Sequence, residues 1–237
     1  MMRTTLCLTL ALSAGSALAQ QPFNNPGVSW SYFDIGLQHV SPDNSALDNG
    51  TGAAIRGSGE INDNWHVFLG WNRTAIEGRY VVPATGGTAL AILDDDVDHF
   101  NVGIGYNLPV AANTDLFFRV AYERLGSADF SINTVALVPV DSGKIDSTDG
   151  FSGELGVRAA FTPRFEAGAS IRHVALDDPK VTVAGNEQAF PPMLRDDSTT
   201  SAVLYAQYRF GNGWGIVGEG ELSGDYNKLF VGARLSY

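Results

Sequence analysis

"KLFVGARLSY", Lys228–Tyr237, closes the chain. Leu229, Val231, Ala233, Leu235 and Tyr237 fall on one face, and Lys228, Arg234 and Ser236 on the other. A period of two is that of a strand with two different faces. Chain ends fray unless something ties them down, so a terminus this apolar and periodic predicts a docked strand.

Working back from the terminus, the same alternation recurs in segments of about ten residues. They begin near Val28, Gly52, Trp65, Asp98, Asp115, Gly150, Phe165, Thr199, Trp214 and Lys228. Short links carry turn chemistry: "NDN" at Asn62–Asn64, "NLPVAANT" around Pro109, "TPR" at Thr162–Arg164 and "GNG" at Gly211–Gly213. Longer polar links lie at about Ser41–Asn49, Arg79–Val97, Gly126–Asp149 and Asp177–Ser198, and "SGDYN" at Ser223–Asn227 is brief. Short turns at one end and long loops at the other predict an up-and-down transmembrane barrel, all-β and antiparallel. Ten strands return both termini to the short-turn side; eight strands is the alternative count. Within the long links, "YVVPATGGTALAIL" and "VTVAGNEQAF" read as hairpins projecting beyond the membrane, and "SINTVALVPV" as an apolar run without an evident partner.

In "FSGELGVRAAF", Phe151, Leu155, Val157, Ala159 and Phe161 oppose Ser152, Glu154, Gly156 and Arg158. Likewise Leu204, Ala206, Tyr208 and Phe210 oppose Tyr205, Gln207 and Arg209, while Trp214, Ile216 and Leu222 oppose Glu219 and Glu221. A soluble sandwich would turn the apolar faces inward. Two features place them against lipid. Trp65, Phe161, Phe165, Phe210 and Trp214, with Tyr237, gather beside the short turns as a periplasmic aromatic girdle. The polar faces carry Glu60, Glu123, Glu154, Glu166, Glu219 and Glu221 against Arg56, Arg119, Arg158, Arg172, Arg209 and Arg234, a balance that suits a paired lumen network. In lipid a strand edge finds no hydrogen-bond partner, so the last strand is expected to pair with the first.

On these residues the chain resembles the small Gram-negative outer-membrane β-barrel proteins, whose final strand ends in an aromatic residue and serves as the assembly signal. The resemblance assigns that role here to Leu229, Val231, Leu235 and Tyr237. The wording "RGSGEINDNWHVFLGW", "FNVGIGYNL", "FFRVAYE" and "GELGVRAAF" is similar to a porin-like branch of that family. It implies membrane and fold, and no substrate.

The other end of the chain agrees with export. Arg3, the apolar run Leu6–Leu12 and Ala17-Leu18-Ala19 before Gln20 read as a cleavable signal peptide over residues 1–19, leaving 20–237 as the barrel domain in the bacterial outer membrane. The single cysteine, Cys7, lies in that leader, so the mature chain is expected to hold together without disulfides. The formal charge of −11 becomes −12 once Arg3 is removed, which makes nucleic acid an unfavourable partner. The expected surroundings are lipid, lipopolysaccharide and the barrel-assembly machinery, around a monomer.

"LDDDVDH", Leu93–His99, groups acids with a histidine. A rim hydrolase would draw on Asp96 and His99, with His173 and Asp177-Asp178 as partners across the rim. His39, His66, His99 and His173 lie on different strands without a nucleophile motif, and no catalytic residue is assigned. Asp94, Asp95, Asp96 and Asp98 are weak cation candidates, because the spaced pattern and Gly of a calcium loop are missing; no metal or cofactor is expected. The lumen charges have three readings: a structural plug, a narrow pore with a gap between Glu219 or Glu221 and Arg158 or Arg209, and a catalytic Glu219. The leading expectation is a structural or surface-interaction scaffold whose acidic loops, near Thr85–Asp98, Asp129–Asp149 and Lys180–Asp197, make contacts. A narrow porin is the alternative and a rim hydrolase the third.

Overall fold

The computed structural model describes residues 27–44, 47–84, 87–134, 139–183, 186–189 and 198–237. The expected leader lies outside the described residues, as do several tips of the long links.

Alternating sequence becomes fourteen strands: β1 (Tyr32–Pro42), β2 (Gly50–Glu60), β3 (Trp65–Ala84), β4 (Gly87–Ala111), β5 (Thr114–Leu125), β6 (Ala128–Thr134), β7 (Pro139–Ile145), β8 (Thr148–Ala160), β9 (Phe165–Leu176), β10 (Lys180–Val183), β11 (Asn186–Ala189), β12 (Ser198–Arg209), β13 (Trp214–Leu222) and β14 (Tyr226–Ser236). Ten of them close a ring in the order β1-β2-β3-β4-β5-β8-β9-β12-β13-β14. The seam is the antiparallel β14–β1 pair, in register from Tyr32↔Ser236 to Pro42↔Tyr226. The terminal stretch is therefore a stave of a closed barrel, and eight strands is excluded.

The first stave starts at Tyr32 rather than near Val28, because the residues before Ser31 leave the wall and Trp30 turns into the barrel. Links at the turn end are short. The last of them uses Gly213, whose φ of 84° is open to glycine and strained for residues with a Cβ.

At the loop end the wall continues upward. β3 and β4 run 20 and 25 residues and stay paired to Ala84↔Gly87. The described residues of the run "SINTVALVPV", 131–134 and 139–140, do lie in paired strands: β6 pairs with β7 and with the outer half of β4, from Ala89↔Thr134 to Leu93↔Phe130. β7 pairs in turn with β10, and β10 with β11, so six strands form one sheet beyond the barrel. Three of the added strands, β6, β7 and β10, continue a barrel stave after a short break. The backbone N–H of Gly126 donates to the Asp98 carbonyl at 2.6 Å, Asp146 to Lys180 at 2.8 Å and Asp177 to Asp149 at 2.7 Å, so the breaks stay stitched to their neighbours. A small apolar core of Leu93, Val97 and Ala128, joined by Leu47, Ile76, Leu125 and Phe130, holds this sheet on the β3–β4 side.

Below it, the outer face is apolar. Leu37 is 72 % exposed, Leu155 63 % and Ile171 64 %, with Val67, Val102 and Val231 also outside. In water such a continuous exposed surface would be a liability; against hydrocarbon it is the favourable arrangement. Phe151 and Phe161 mark its two borders on one stave. Ten steps of ~3.4 Å tilted by about 40° span about 25 Å along the barrel axis, the height of an outer-membrane apolar band.

Candidate functional site in the barrel lumen

The period that points Leu155 and Val157 outward points Glu154 and Arg158 inward, and the same parity on every stave fills the lumen with ionisable groups. Arg56, Arg119, Glu123, Glu154, Arg158, Glu166, Arg172, Arg209, Glu219, Glu221 and Arg234 all take inward positions, and Glu60 stands at the turn-end mouth, exposed.

Nearest the turn end, Glu166 accepts from Arg158 Nε at 2.7 Å and also pairs with Arg209. Three residues into β1 from the turn end, Asp34 is gripped by Arg234 through two bonds of 2.6 Å each, a fork matched to a carboxylate. The third Arg234 nitrogen donates to the Tyr205 hydroxyl at 2.7 Å. Arg56 lies 2.7 Å from Glu219 and 3.3 Å from Asp34, with its guanidinium 3.8 Å above the Phe230 ring. That ring can lie there because Gly36 and Gly232 face it; a Cβ on either would come within 2.8 Å of it. Toward the loop end, Glu123 contacts Arg172 at 2.7 Å and His99 Nε2 at 2.8 Å, while Glu221 pairs with Lys228 and lies 3.8 Å from Arg172.

Glu219 and Arg158 do stand on the walls of one cavity, as the expected gap requires, while Glu221 and Arg209 do not line it. Those arginines share Glu166, and the two glutamates are held by Arg56, Lys228 and Arg172. The described lumen ion pairs join staves at most three places apart around the ring of ten, the widest being Arg56 on β2 with Glu219 on β13. The charges hug the wall. Arg119 does reach across, but weakly: its nearest carboxylate is Glu154 at 3.8 Å, and it lies 3.5 Å from the Tyr32 hydroxyl, four staves away.

Two cavities lie along the axis. The one toward the loop end is about 100 Å³ and is lined by Arg56, Phe68, Asn72, His99, Arg172 and Lys228 among others. The deeper one is about 30 Å³, beside Phe117, Arg158, Ser170 and Arg234. They share Tyr32, Arg119, Glu154, Val203 and Glu219, so the two adjoin across these side chains. At 10–15 Å³ per water-sized sphere they have room for roughly seven and about two such spheres.

Under the narrow cavity sits Trp30, 0 % exposed. Its ring stacks on His66 at 4.5 Å between centroids, meets Phe117 edge-on at 5.2 Å, and has the Arg158 guanidinium 4.2 Å from its face. The indole N–H donates to Asp115 at 2.8 Å. His66 accepts from Arg119 on Nε2, which leaves its Nδ1–H to donate to Asn107.

The remaining sequence candidates lie elsewhere. Strand period separates Asp98 from His99: Asp98 takes a fork from Arg73 at 2.8 and 2.9 Å on the outer surface, a contact that holds its carboxyl below the usual range, whereas His99 points into the lumen. His173 faces outward against Thr200. Asp94 and Asp96 are exposed and Asp95 caps the backbone of Asp96 and Asp129; among the described residues no group of three or more His, Cys, Asp or Glu is placed to hold a metal ion. Trp65, Phe161, Phe165, Phe210 and Trp214 ring the turn end with 40–65 % exposure. Leu229 and Val231 face outward, and Tyr237 reaches the Ser31 carbonyl through its backbone N–H.

Asp34, Lys228, Tyr205 and Trp30 complete the site without having been singled out. Asp34 was readable from the outward Phe33, Ile35 and Leu37 on either side of it. Trp30 was not, because it precedes the first stave and no alternation fixes its side.

An antiparallel ring with lipid-compatible walls and a polar, ion-paired lumen is a transmembrane β-barrel of the outer-membrane type. The outer membrane protein beta-barrel domain family matches residues 4–210, and the chain belongs to that family. No curated protein matches it in sequence. Among solved structures, it is similar to the outer membrane protease OmpT from Escherichia coli, at 11 % identity over 87 % of this chain and 96 % of that one, with a TM-score of 0.54. The Ralstonia pickettii toluene transporter TbuX gives 10 % identity, 94 % of both chains and 0.48. OprG from Pseudomonas aeruginosa gives 13 %, 90 % of this chain and 99 % of that one, and 0.46. At 11 % identity the likeness to OmpT speaks for the fold alone.

Proposed function

We propose that this protein is a narrow outer-membrane channel for small polar solutes or ions, with the turn end and both termini in the periplasm and the long loops outside. The observation that carries the reading is the pair of adjoining polar cavities along the axis, with the ion pairs hugging the wall around them. A lumen built only for rigidity would close across its axis. Here that role falls to Arg119, with no carboxylate nearer than 3.8 Å, and to Trp30. The charged lining serves solutes that carry their own hydration or charge. During insertion, Leu229, Val231, Leu235 and Tyr237 would be read by the barrel-assembly machinery.

Single-channel recording of the folded protein in a planar bilayer tests this, beside Arg119→Gln, Glu219→Gln and a variant lacking the Trp30 ring. Discrete steps are expected, with selectivity moving toward cations in Arg119→Gln and toward anions in Glu219→Gln. Silence from all four folded proteins overturns the channel.

A surface-interaction role remains as a second reading, favoured by the six-stranded sheet beyond the membrane. Replacing residues 128–145, which leaves staves β5 and β8 whole, by a short turn would then abolish partner binding and leave conductance unchanged.

A further inference from the structure

Residues 27–30 precede the wall, which Ser31 joins by accepting from the Tyr237 backbone N–H at 3.2 Å, yet they are held inside it more firmly than a loose terminus would be. Trp30 N–H donates to Glu60 at 3.1 Å, Ser31 Oγ accepts from the backbone N–H of Glu60 at 3.1 Å, and Arg158 reaches the Ser29 carbonyl at 3.3 Å. The indole fills a box made by three different staves, His66 from β3, Asp115 and Phe117 from β5, and Arg158 from β8, and the segment itself leads into Tyr32 of β1. Arg158 and Phe117 also line the narrow cavity, so the ring lies directly below it.

This box has the chemistry of a binding site for a planar aromatic group bearing one hydrogen-bond donor. One face stacks on an imidazole, the other receives a guanidinium, an aromatic edge closes the side and a carboxylate takes the N–H. We infer that the site is a self-occupied receptor: residues Gly27–Ser31 are a tethered stopper, Trp30 is its head, and the turn-end mouth of the lumen is shut while the ring is in its box. The inference rests on the channel reading for its consequence, because solute leaving toward the periplasm must displace this ring. The tether is short: Ser31 alone separates Trp30 from Tyr32 at the start of β1.

Cysteine reactivity separates the stopper from conduction. The mature chain contains no cysteine of its own, and Val203 lines both cavities. Val203→Cys is placed in an oriented bilayer, and a charged, membrane-impermeant thiol reagent is applied to one side at a time. From the loop side the cysteine should react in every version. From the turn side it should react at least tenfold faster after Trp30→Gly than before, and free indole should bring the rate back down by refilling the box. Asp115→Asn, which keeps the ring and weakens its acceptor, gives an intermediate rate and covers the case in which Trp30→Gly fails to fold. Equal turn-side rates with and without the Trp30 ring, or no slowing by indole, overturn the stopper. A stopper that passes this test in a protein that never conducts leaves the stopper standing and removes the channel.

Discussion

Asp34 and Arg234 are 200 residues apart in the chain and face each other across the seam, both nearly without solvent contact. Ion pairs of this kind add little net stability, since desolvation cancels most of the attraction, but a buried charge left alone is costly. Asp34→Ala should therefore destabilise the barrel by roughly 3–5 kcal/mol in denaturant titrations with lipid vesicles, by stranding Arg234. Adding Arg234→Met should recover most of that loss, the sign opposite to additivity. Arg234 was legible from "KLFVGARLSY" alone because the outward residues beside it fix its side. What it touches was not legible, because a pairing across 200 residues depends on the register of a seam that no local pattern encodes. Trp30 is the extreme case: its side chain is placed by groups from other staves and by nothing in its own neighbourhood.

Among the elements, the staves were readable and their continuations less so. Alternation located all ten barrel strands, most of them starting within a few residues of the expected position, since a half-lipid, half-polar wall imposes the period residue by residue. Hairpin extensions were recognisable around "TGG" and "AGN", whereas the pairing of β6 with β4 was not: which edge a short apolar strand joins is decided by the break at Gly126 that lets one stave carry on upward. The facing assignment makes its own prediction. Leu155→Arg or Val231→Arg puts a charge on the outer wall near mid-height and should cost roughly 2–4 kcal/mol, seen as loss of folded protein in membrane fractions. The same substitution at Leu47, in the apolar core above the membrane, should spare insertion and loosen only the loop-end sheet.

For the molecule as a whole, the surplus of acid over base lies outside the balanced lumen, on the loops and rims. The barrel's interior is close to neutral, so any ion selectivity arises from individual residues such as Arg119 and Glu219 rather than from a bulk field. Closure, polar filling and an apolar exterior were all contained in one alternating pattern. The stopper and the adjoining cavities required the three-dimensional ring, because they depend on which side chains from distant staves arrive at the same height.

The seam between β1 and β14 also governs how the protein persists over time. A ring has no outermost strand to peel, so unfolding must open two full hydrogen-bonded edges before any stave gains freedom, and folding must bring the two ends of the chain together before the last edge is satisfied. Sequence separations this long make closure slow, and the reverse step slower still. Survival is then set by a barrier rather than by an equilibrium. The expected signature is a folded form that stays compact in cold dodecyl sulfate and shifts mobility on a gel only after boiling, with an apparent melting temperature that rises with heating rate. A melting temperature independent of scan rate would show that the ring opens and recloses freely.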